Sequence, residues 1–270
     1  MNEGIIYIVP TPVGNLKDIT LRAIEVLKSS DVIFCEDTRT SKVLLDKYEI
    51  KAKLLSYHKF NEKSRVEEIK KRYLNGETIS IISDAGTPGI CDPSNVITKE
   101  NFSNLYCLPG ATAFVPALVK SGLSTDRFTF VGFLDAKKSK REEELKKFAD
   151  IDHTLVFYES PHRILDTLSS MYNIFGARKA VIVREISKIY EEKIAFNLGD
   201  EISPLKGEIV ILIAGNEELS ENIDDTIIDL FNQNLKPQEV FKLLKSLGKD
   251  IKRNYIYDLY LKVKDDVDGN

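Results

Sequence analysis

Short apolar runs and helically spaced segments alternate along most of this chain. Ile5 to Val9 is an apolar run stopped by Pro10, and Asp18 opens a helix carrying Ile19, Ala23, Ile24, Val26 and Leu27. Val32 to Cys35 and Lys53 to Tyr57 predict strands, and Asn61 to Leu74 predicts a charged surface helix. Strands at Thr78 to Ser83 and Leu105 to Leu108 follow, then a helix from Ala111 to about Lys120. Strands separated by helical segments predict βαβ units and a mainly parallel sheet.

The stretch Ser121-Gly122-Leu123-Ser124-Thr125-Asp126 reads as a linker into a second lobe. Strands are expected there at Phe128 to Leu134, Thr154 to Tyr158, Ala180 to Arg184, Lys193 to Phe196 and Glu208 to Ala214. Helices are expected from about Lys140 to Ala149 and Ile164 to Tyr172. Two strands in a row near the end predict a mixed sheet. From Glu221 the strand signal stops. Ile223 to Phe231, Pro237 to Leu244 and Ile251 to Val263 are helical in period, and Pro237 stands where a helix start tolerates proline. Leu247-Gly248 supplies a turn of the kind found between paired helices, and Asp265 to Asn270 is expected to fray. The division is therefore an α/β lobe over 1–120, a second over 121–216 and a helical extension over 217–270.

Composition narrows the function classes. Of 270 residues, 43% are apolar and 30% charged, enough to bury a core and stay soluble, which excludes general disorder. No apolar stretch is long enough to span a bilayer, and the N-terminal segment lacks a secretory pattern. Cys35, Cys91 and Cys107 are scattered, as are His58, His153 and His162, so neither a disulfide framework nor a metal site is expected. A reducing, cytoplasmic setting follows. A net charge of −4 does not mark a nucleic-acid binder, but a local basic patch acts within its own screening distance.

Polar clusters recur directly after strands: Pro10 to Asn15, Glu36-Asp37-Thr38-Arg39, Asp84 to Gly89, Pro109 to Ala113 and Glu159 to Arg163. Turns alone account for any one of them. Five together are expected to converge on one rim, because ligands of open α/β sheets bind beyond the carboxyl ends of the strands. No two glycines form a GxG loop, no phosphate-binding GxxxxGK[ST] occurs, and no GxSxG nucleophile is present.

An ordered series of motifs makes the reading specific. Tyr7 to Leu16, Asp18-Ile19-Thr20, Glu36 to Arg39, Ser83 to Pro88, Leu108 to Ala113, Ser121-Gly122-Leu123, Phe157 to Arg163 and Lys206 to Val210 together resemble the ribosomal RNA small subunit methyltransferase I family. The resemblance runs from about Ile5 to Gly215, with a weaker match in the tail. It implies the two-lobed tetrapyrrole-methylase fold, a class without the GxG loop. It also implies S-adenosylmethionine in the cleft and methylation of the ribose 2′-hydroxyl of a cytidine in the decoding region of small-subunit rRNA by a homodimer. Two departures stand out: the segment from Asp92 to Pro109 is short, with polar Asn101 to Asn104, and Asp135 stands where the family usually has proline.

By this resemblance Pro10, Gly14, Asp84, Ala85, Gly86, Thr87, Thr112, Ala113, Glu159, Ser160, Ala214 and Gly215 belong to the cofactor site. Gly86 permits close backbone approach, Thr112 and Ala113 offer N–H groups at a helix start, and the backbone near Ala214 and Gly215 is expected to meet the adenine. Glu36, Asp37 and Arg39 are expected on the acceptor side, orienting a ribose or activating its hydroxyl; an ion-paired loop that shapes the cleft is the equal alternative. Lys137, Lys138, Lys140, Arg141, His162 and Arg163 form the expected RNA contact, through phosphates. Lys146 and Lys147 extend that patch, and Lys242, Lys245, Lys249, Lys252 and Arg253 serve either RNA or dimer packing. Arg184 and Glu185 read as a salt-linked pair, and Cys35 and Cys91 as core or wall residues. Two rival functions remain: a tetrapyrrole-precursor methyltransferase of the same fold, and a non-catalytic ribosome-binding module. Against the first, the glycine-rich loop and Gly-Asp-Pro signature of those enzymes are replaced here by Pro-Thr-Pro-Val-Gly-Asn and Asp-Ala-Gly-Thr-Pro.

Overall fold

The computed structural model describes residues 3–58, 61–233, 235–247 and 251–268, without the side chains of 93–95, 217–223 and 264–268. The first sheet holds β1 (Ile5–Ile8), β2 (Val32–Cys35), β3 (Lys53–Ser56), β4 (Thr78–Ile82) and β5 (Leu105–Cys107) in the order β3-β2-β4-β1-β5. Every pairing in it is parallel. Helices α1 (Leu21–Ser29), α2 (Thr38–Lys47) and α3 (Glu62–Leu74) supply the crossovers. The central strands β2 and β4 are buried without alternation, because a parallel sheet is covered on both faces; the one polar side chain fully buried there, Ser80 of β4, is hydrogen-bonded to Ser30 at 2.7 Å. One face packs Val66, Ile69 and Tyr73 of α3, and the other packs Ala23 and Leu27 of α1 with Leu44 and Leu45 of α2. The helix expected from Asp18 begins later. Leu16–Asp18 forms a 3-10 turn, and the Thr20 side chain caps α1 through the Ala23 N–H.

The second sheet runs β6-β7-β10-β8-β9, built from β6 (Phe128–Phe133), β7 (Thr154–Glu159), β8 (Lys179–Arg184), β9 (Glu192–Asn197) and β10 (Ile209–Ile213). Only β6 and β7 pair in parallel; β10 lies antiparallel to both β7 and β8. Helices α5 (Lys138–Lys146) and α6 (Ile164–Phe175) cover one face. The other face is covered by α4 (Phe114–Ser121), whose Ala117 and Leu118 pack on Val156, Val181, Val210 and Leu212. This helix was placed in the first lobe by the division at residue 120. Its apolar stripe instead belongs with the second sheet.

The extension folds as α7 (Glu217–Asn232), α8 (Pro237–Ser246) and α9 (Arg253–Asp268) around Ile227, Phe231, Val240, Leu244 and Ile256. Helix continues to Asp268, past the expected fraying point at Asp265. The Gly248 turn, Lys249 and Asn270 lie outside the described residues. Among the described residues no helix is long and apolar enough to cross a membrane. In the short segment before β5, Pro93–Lys99 is a 3-10 helix and Asn101 to Asn104 is irregular.

Ala214 and Gly215 mark the corner where β10 hands the chain to the extension. A Cβ on Gly215 would stand 2.1 Å from the Asp152 carbonyl carbon, so only glycine fits. Gly215→Ala is therefore expected to destabilise the protein by roughly 1–3 kcal/mol through forced backbone shifts. Urea unfolding of the variant checks it, and a wild-type midpoint would remove the claim.

Candidate functional site

The loops that leave β1, β4 and β5 are tied into one frame. Thr11 and Gly86 exchange backbone hydrogen bonds of 2.9 and 3.0 Å, and Thr11 Oγ1 donates to the Ser83 carbonyl at 3.0 Å. Thr87 Oγ1 donates to the Ala111 carbonyl at 2.9 Å. Gly86 sits at φ +82°, where a side chain would be strained. Pro10 and Gly14 serve this frame without lining the cavity it borders. A Cβ on Gly110 would stand 2.5 Å from Pro10 Cβ, and one on Gly14 would stand 2.4 Å from the Ile186 carbonyl oxygen. The second of these contacts joins the two lobes, and a hydrogen bond from Ser187 to Asp18 joins them again.

Between the lobes lies a cavity of about 390 Å³. The first lobe contributes Val13, Glu36, the loop Ser83 to Thr87, and Thr112 with Ala113. Asp84, Ala85, Gly86 and Thr87 thus line the cavity, as do Thr112 and Ala113. The last two precede α4, with Ala113 at its cap position. The second lobe contributes Phe133, Tyr158, Glu159, Ser160, Ile186 and Gly207 to Val210. Ile90, Cys91 and Asp92 close the wall. Cys35, by contrast, is a core residue.

Ala214 and Gly215 are elsewhere. Ile209 is paired with Glu159 at the cavity, whereas Ile213 is paired with Leu155 at the opposite edge. An antiparallel β10 thus presents its first residues to the cavity, and Gly207 to Val210 take the place expected of Ala214 and Gly215. Sequence reading also missed Phe133 and Tyr158. Their rings stand 5.5 Å apart, and the Tyr158 hydroxyl accepts from the Phe114 N–H at 3.3 Å. Burial pushes the Tyr158 phenol up to about 12. The available signal was the aromatic pattern of β6 and β7 together with the motif at Lys206 to Val210.

The acidic groups divide by role. Asp37 caps α2, accepting from the Arg39 N–H at 2.8 Å, and its carboxylate grips the Arg39 guanidinium at 2.9 and 3.2 Å. That hydrogen-bonded guanidinium holds the Asp37 carboxyl down to about 2. Asp37 and Arg39 do not line the cavity, and the Arg39 side chain is 90% exposed. The Asp37 N–H donates to Asp84 Oδ1 at 3.1 Å, linking the two loops. Glu36 and Asp84 line the cavity, and burial pushes both carboxyls above their ordinary range. The charge of Asp84 adds to the shift at Glu36, and that of Asp37 to the shift at Asp84.

Glu159 is a strut. Its carboxylate accepts from the Ser160 N–H, the Arg163 guanidinium and the Thr167 hydroxyl, each at 2.6 Å. Arg163 also donates to the Leu134 carbonyl, so its guanidinium faces inward. Arg184 and Glu185 do not pair with one another; Arg184 meets Glu192 at 2.6 Å, and Glu185 meets Lys188 at 2.9 Å.

The expected basic patch loses Arg141. That residue is 3% exposed and donates to Ser170 Oγ and to the carbonyls of Ala136 and Asp166, holding α5 onto α6. Lys137, Lys138, Lys140 and His162 are exposed. Lys137 ends the loop that follows Phe133, at the cap position of α5, and Lys138 and Lys140 stand in the first turn of that helix. Asp135, in the family's proline position, accepts from the Lys137 N–H and faces Lys140 at 3.9 Å.

The cavity suits the donor that the resemblance implies. It is lined by Glu36, Asp84, Asp92, Glu159 and Glu208 and, among the described residues, by no lysine, arginine or histidine. Glu159 and Glu208 have cationic partners in Arg163 and Lys188. A sulfonium cation is favoured by such a field, and a phosphate is repelled.

Comparisons with known proteins agree with this geometry. Residues 5–202 match the family model described as Tetrapyrrole (Corrin/Porphyrin) Methylases. Among solved structures the fold is similar to a diphthine synthase, with a TM-score of 0.63 at 12% identity, covering 78% of this chain and 90% of that one. It is also similar to a cobalt precorrin-4 methyltransferase, with a TM-score of 0.57 at 18% identity over 77% and 94%. The relatives named ribosomal RNA small subunit methyltransferase I are nearer. The Bacillus subtilis protein is 42% identical over 81% of this chain and 78% of its own, and the Synechocystis protein 36% identical over 97% and 99%. The chain belongs to the tetrapyrrole methylases and, within them, to the ribosomal RNA small subunit methyltransferase I family. S-adenosylmethionine is its methyl donor.

Proposed function

We propose that this protein methylates the 2′-hydroxyl of a cytidine in the decoding region of small-subunit rRNA, as a cytoplasmic homodimer. The observation that carries the reading is the division of charge. Among the described residues the cavity has acidic walls and no lining cation, while Lys137, Lys138 and Lys140 are exposed and follow the lining residue Phe133 by four to seven positions. That division holds a cationic donor inside and polyanionic RNA outside. The names of the relatives point to the same substrate class.

The S-adenosylmethionine sulfonium supplies an electrophilic methyl group when bound. With the donor held in the cavity, a ribose oxygen would bond to that methyl carbon and the carbon–sulfur electron pair would go to sulfur. The hydroxyl proton passes to a carboxylate, and Asp84 and Glu36 are the two whose raised affinity for a proton suits the task. Asp37, held strongly ionised by Arg39, is a poor acceptor. Alignment of donor and acceptor supplies the larger share of the acceleration, about 7–11 kcal/mol in well-oriented systems.

The test is to map ribose methylation in small-subunit rRNA from cells with and without this chain, and to offer purified protein labelled S-adenosylmethionine with small subunits or with a porphyrin precursor. Label on one cytidine ribose is the expected result. Label on the porphyrin precursor, or on a base, would overturn the reading. Sedimentation at working concentration tests the dimer.

A further inference from the structure

Two further hollows adjoin the cofactor cavity, one on each side. The first, of about 460 Å³, shares Val13, Thr112 and Ile186 with it, and its further lining includes Val115 and the charged residues Asp18, Lys120 and Glu191. The second, of about 330 Å³, lies between the loop after β1 and the first turns of α2, and shares Ser83 and Asp84 with it. We propose that the second hollow is the seat of the acceptor nucleoside, with Ser83 and Asp84 as the partition across which the methyl group passes. This rests on the reading of the protein as an RNA ribose methyltransferase and adds the place where the sugar sits.

Three observations favour this side. An acceptor oxygen must come within about 3–3.5 Å of the methyl carbon and must give up a proton. The partition on the α2 side contains the carboxylate of Asp84, whereas Val13, Thr112 and Ile186 on the other side contain no titratable group. Charge decides in the same direction. The larger hollow carries Asp18 and Glu191, and its Lys120 is already paired with Glu191. A phosphodiester would be repelled there. On the α2 side Arg39 stands one helical turn from the lining residue Val43 and Lys17 follows the lining residue Leu16, both exposed. Lys17 flanks the entrance where phosphates would lie, and Arg39, paired there with Asp37, keeps a 90% exposed guanidinium whose remaining N–H groups a phosphate can reach. Size and lining agree as well: the hollow falls within the range of small-ligand sites, about 300–1,000 Å³. Pro12, Leu16, Leu44 and Ile82 make an apolar floor for a base, and Thr40 adds a hydroxyl at its edge. The nucleotide must leave its stack to enter, as in other enzymes that act on single nucleotides.

The test compares Val43→Trp with Val115→Trp. Val43 is 62% exposed and Val115 is 47% exposed, so both indoles are tolerated by the fold, and each fills one hollow. S-adenosylmethionine affinity is read by calorimetry, and kcat/KM on small subunits by label transfer. Val43→Trp is expected to keep donor affinity and lose about 10²-fold in kcat/KM, whereas Val115→Trp keeps both. Loss in Val115→Trp with retention in Val43→Trp would place the nucleoside on the other side. Equal loss of donor binding in Val43→Trp would make the hollow part of the cofactor site. Wild-type protein that transfers no label to rRNA would sink the underlying reading and the seat together. Label transfer by wild type with both tryptophan variants unimpaired would sink the seat alone.

Discussion

Asp84→Asn is expected to lower kcat on small subunits about 10²- to 10⁴-fold, the usual worth of a positioned acid or base. The amide oxygen still accepts the Asp37 N–H that now reaches Asp84 Oδ1, so the loop keeps its anchor. Calorimetry should accordingly show S-adenosylmethionine still bound. What the variant loses is a group able to take the ribose proton. The pH profile supplies the second readout. A carboxylate accepts a proton only when ionised, and burial raises the carboxyls of Asp84 and Glu36 above the usual range of about 3.9–4.3. In wild type, kcat/KM should therefore fall as pH drops through a point above that range. The limb belongs to the pair, because each charge acts on its neighbour. With Asp84 neutralised, Glu36 loses one source of its upward shift, so the remaining limb should move to lower pH. Asp37 titrates near 2, far from this window. Turnover near wild type, with an unshifted profile, would show that Asp84 takes no proton.

Glu159→Ala is expected to cost roughly 3–5 kcal/mol of stability, the range for removing one partner of a buried ion pair. Only 1% of the Glu159 side chain is exposed, and it satisfies three donors at once. Without it the Thr167 hydroxyl, itself 1% exposed, loses its acceptor, and the Arg163 guanidinium keeps only the Leu134 carbonyl. At about 2–4 °C per kcal/mol for a chain of this size, the melting midpoint should drop by about 6–20 °C. Glu159→Gln keeps an acceptor and most of the volume, so it should cost less. The same turn carries Ser160 and Pro161 on the cavity wall, so donor affinity should fall with stability in the alanine variant. A thermal scan at the wild-type midpoint would show that the strut carries no weight.

The parts of the site that were legible in the sequence are those set by local chemistry. Asp84 to Thr87 follow an apolar strand, and a segment with Asp, Gly and Pro cannot continue one, so a rim loop was readable there. The strands and helices of the two α/β lobes and the three terminal helices were readable because side-chain spacing reports the period of the element it belongs to. Several residues were not readable for an equally definite reason. Arg141 is one cation in a run with Lys137, Lys138 and Lys140, and the run does not say which member faces inward. Position on α5 against Ser170 and Asp166 settles that.

The polarity of β10 is the clearest case. Its apolar run from Ile209 to Ile213 announces a buried strand, yet nothing within it says which end meets the cavity. The choice arises from pairing with β7 and β8, which lie some 25 to 60 positions earlier in the chain. That pairing brought Gly207 to Val210 to the cavity and carried Ala214 and Gly215 away from it. Helix α4 repeats the lesson, since its stripe of Ala117 and Leu118 asks for an apolar partner without naming the sheet. Hydrophobic spacing and turn chemistry act between neighbours, so this chain carried its elements and its polar rim loops in local order. Strand direction, the lobe that claims a helix and the cation that becomes buried arise from contacts between distant segments, and those existed only once the chain had folded.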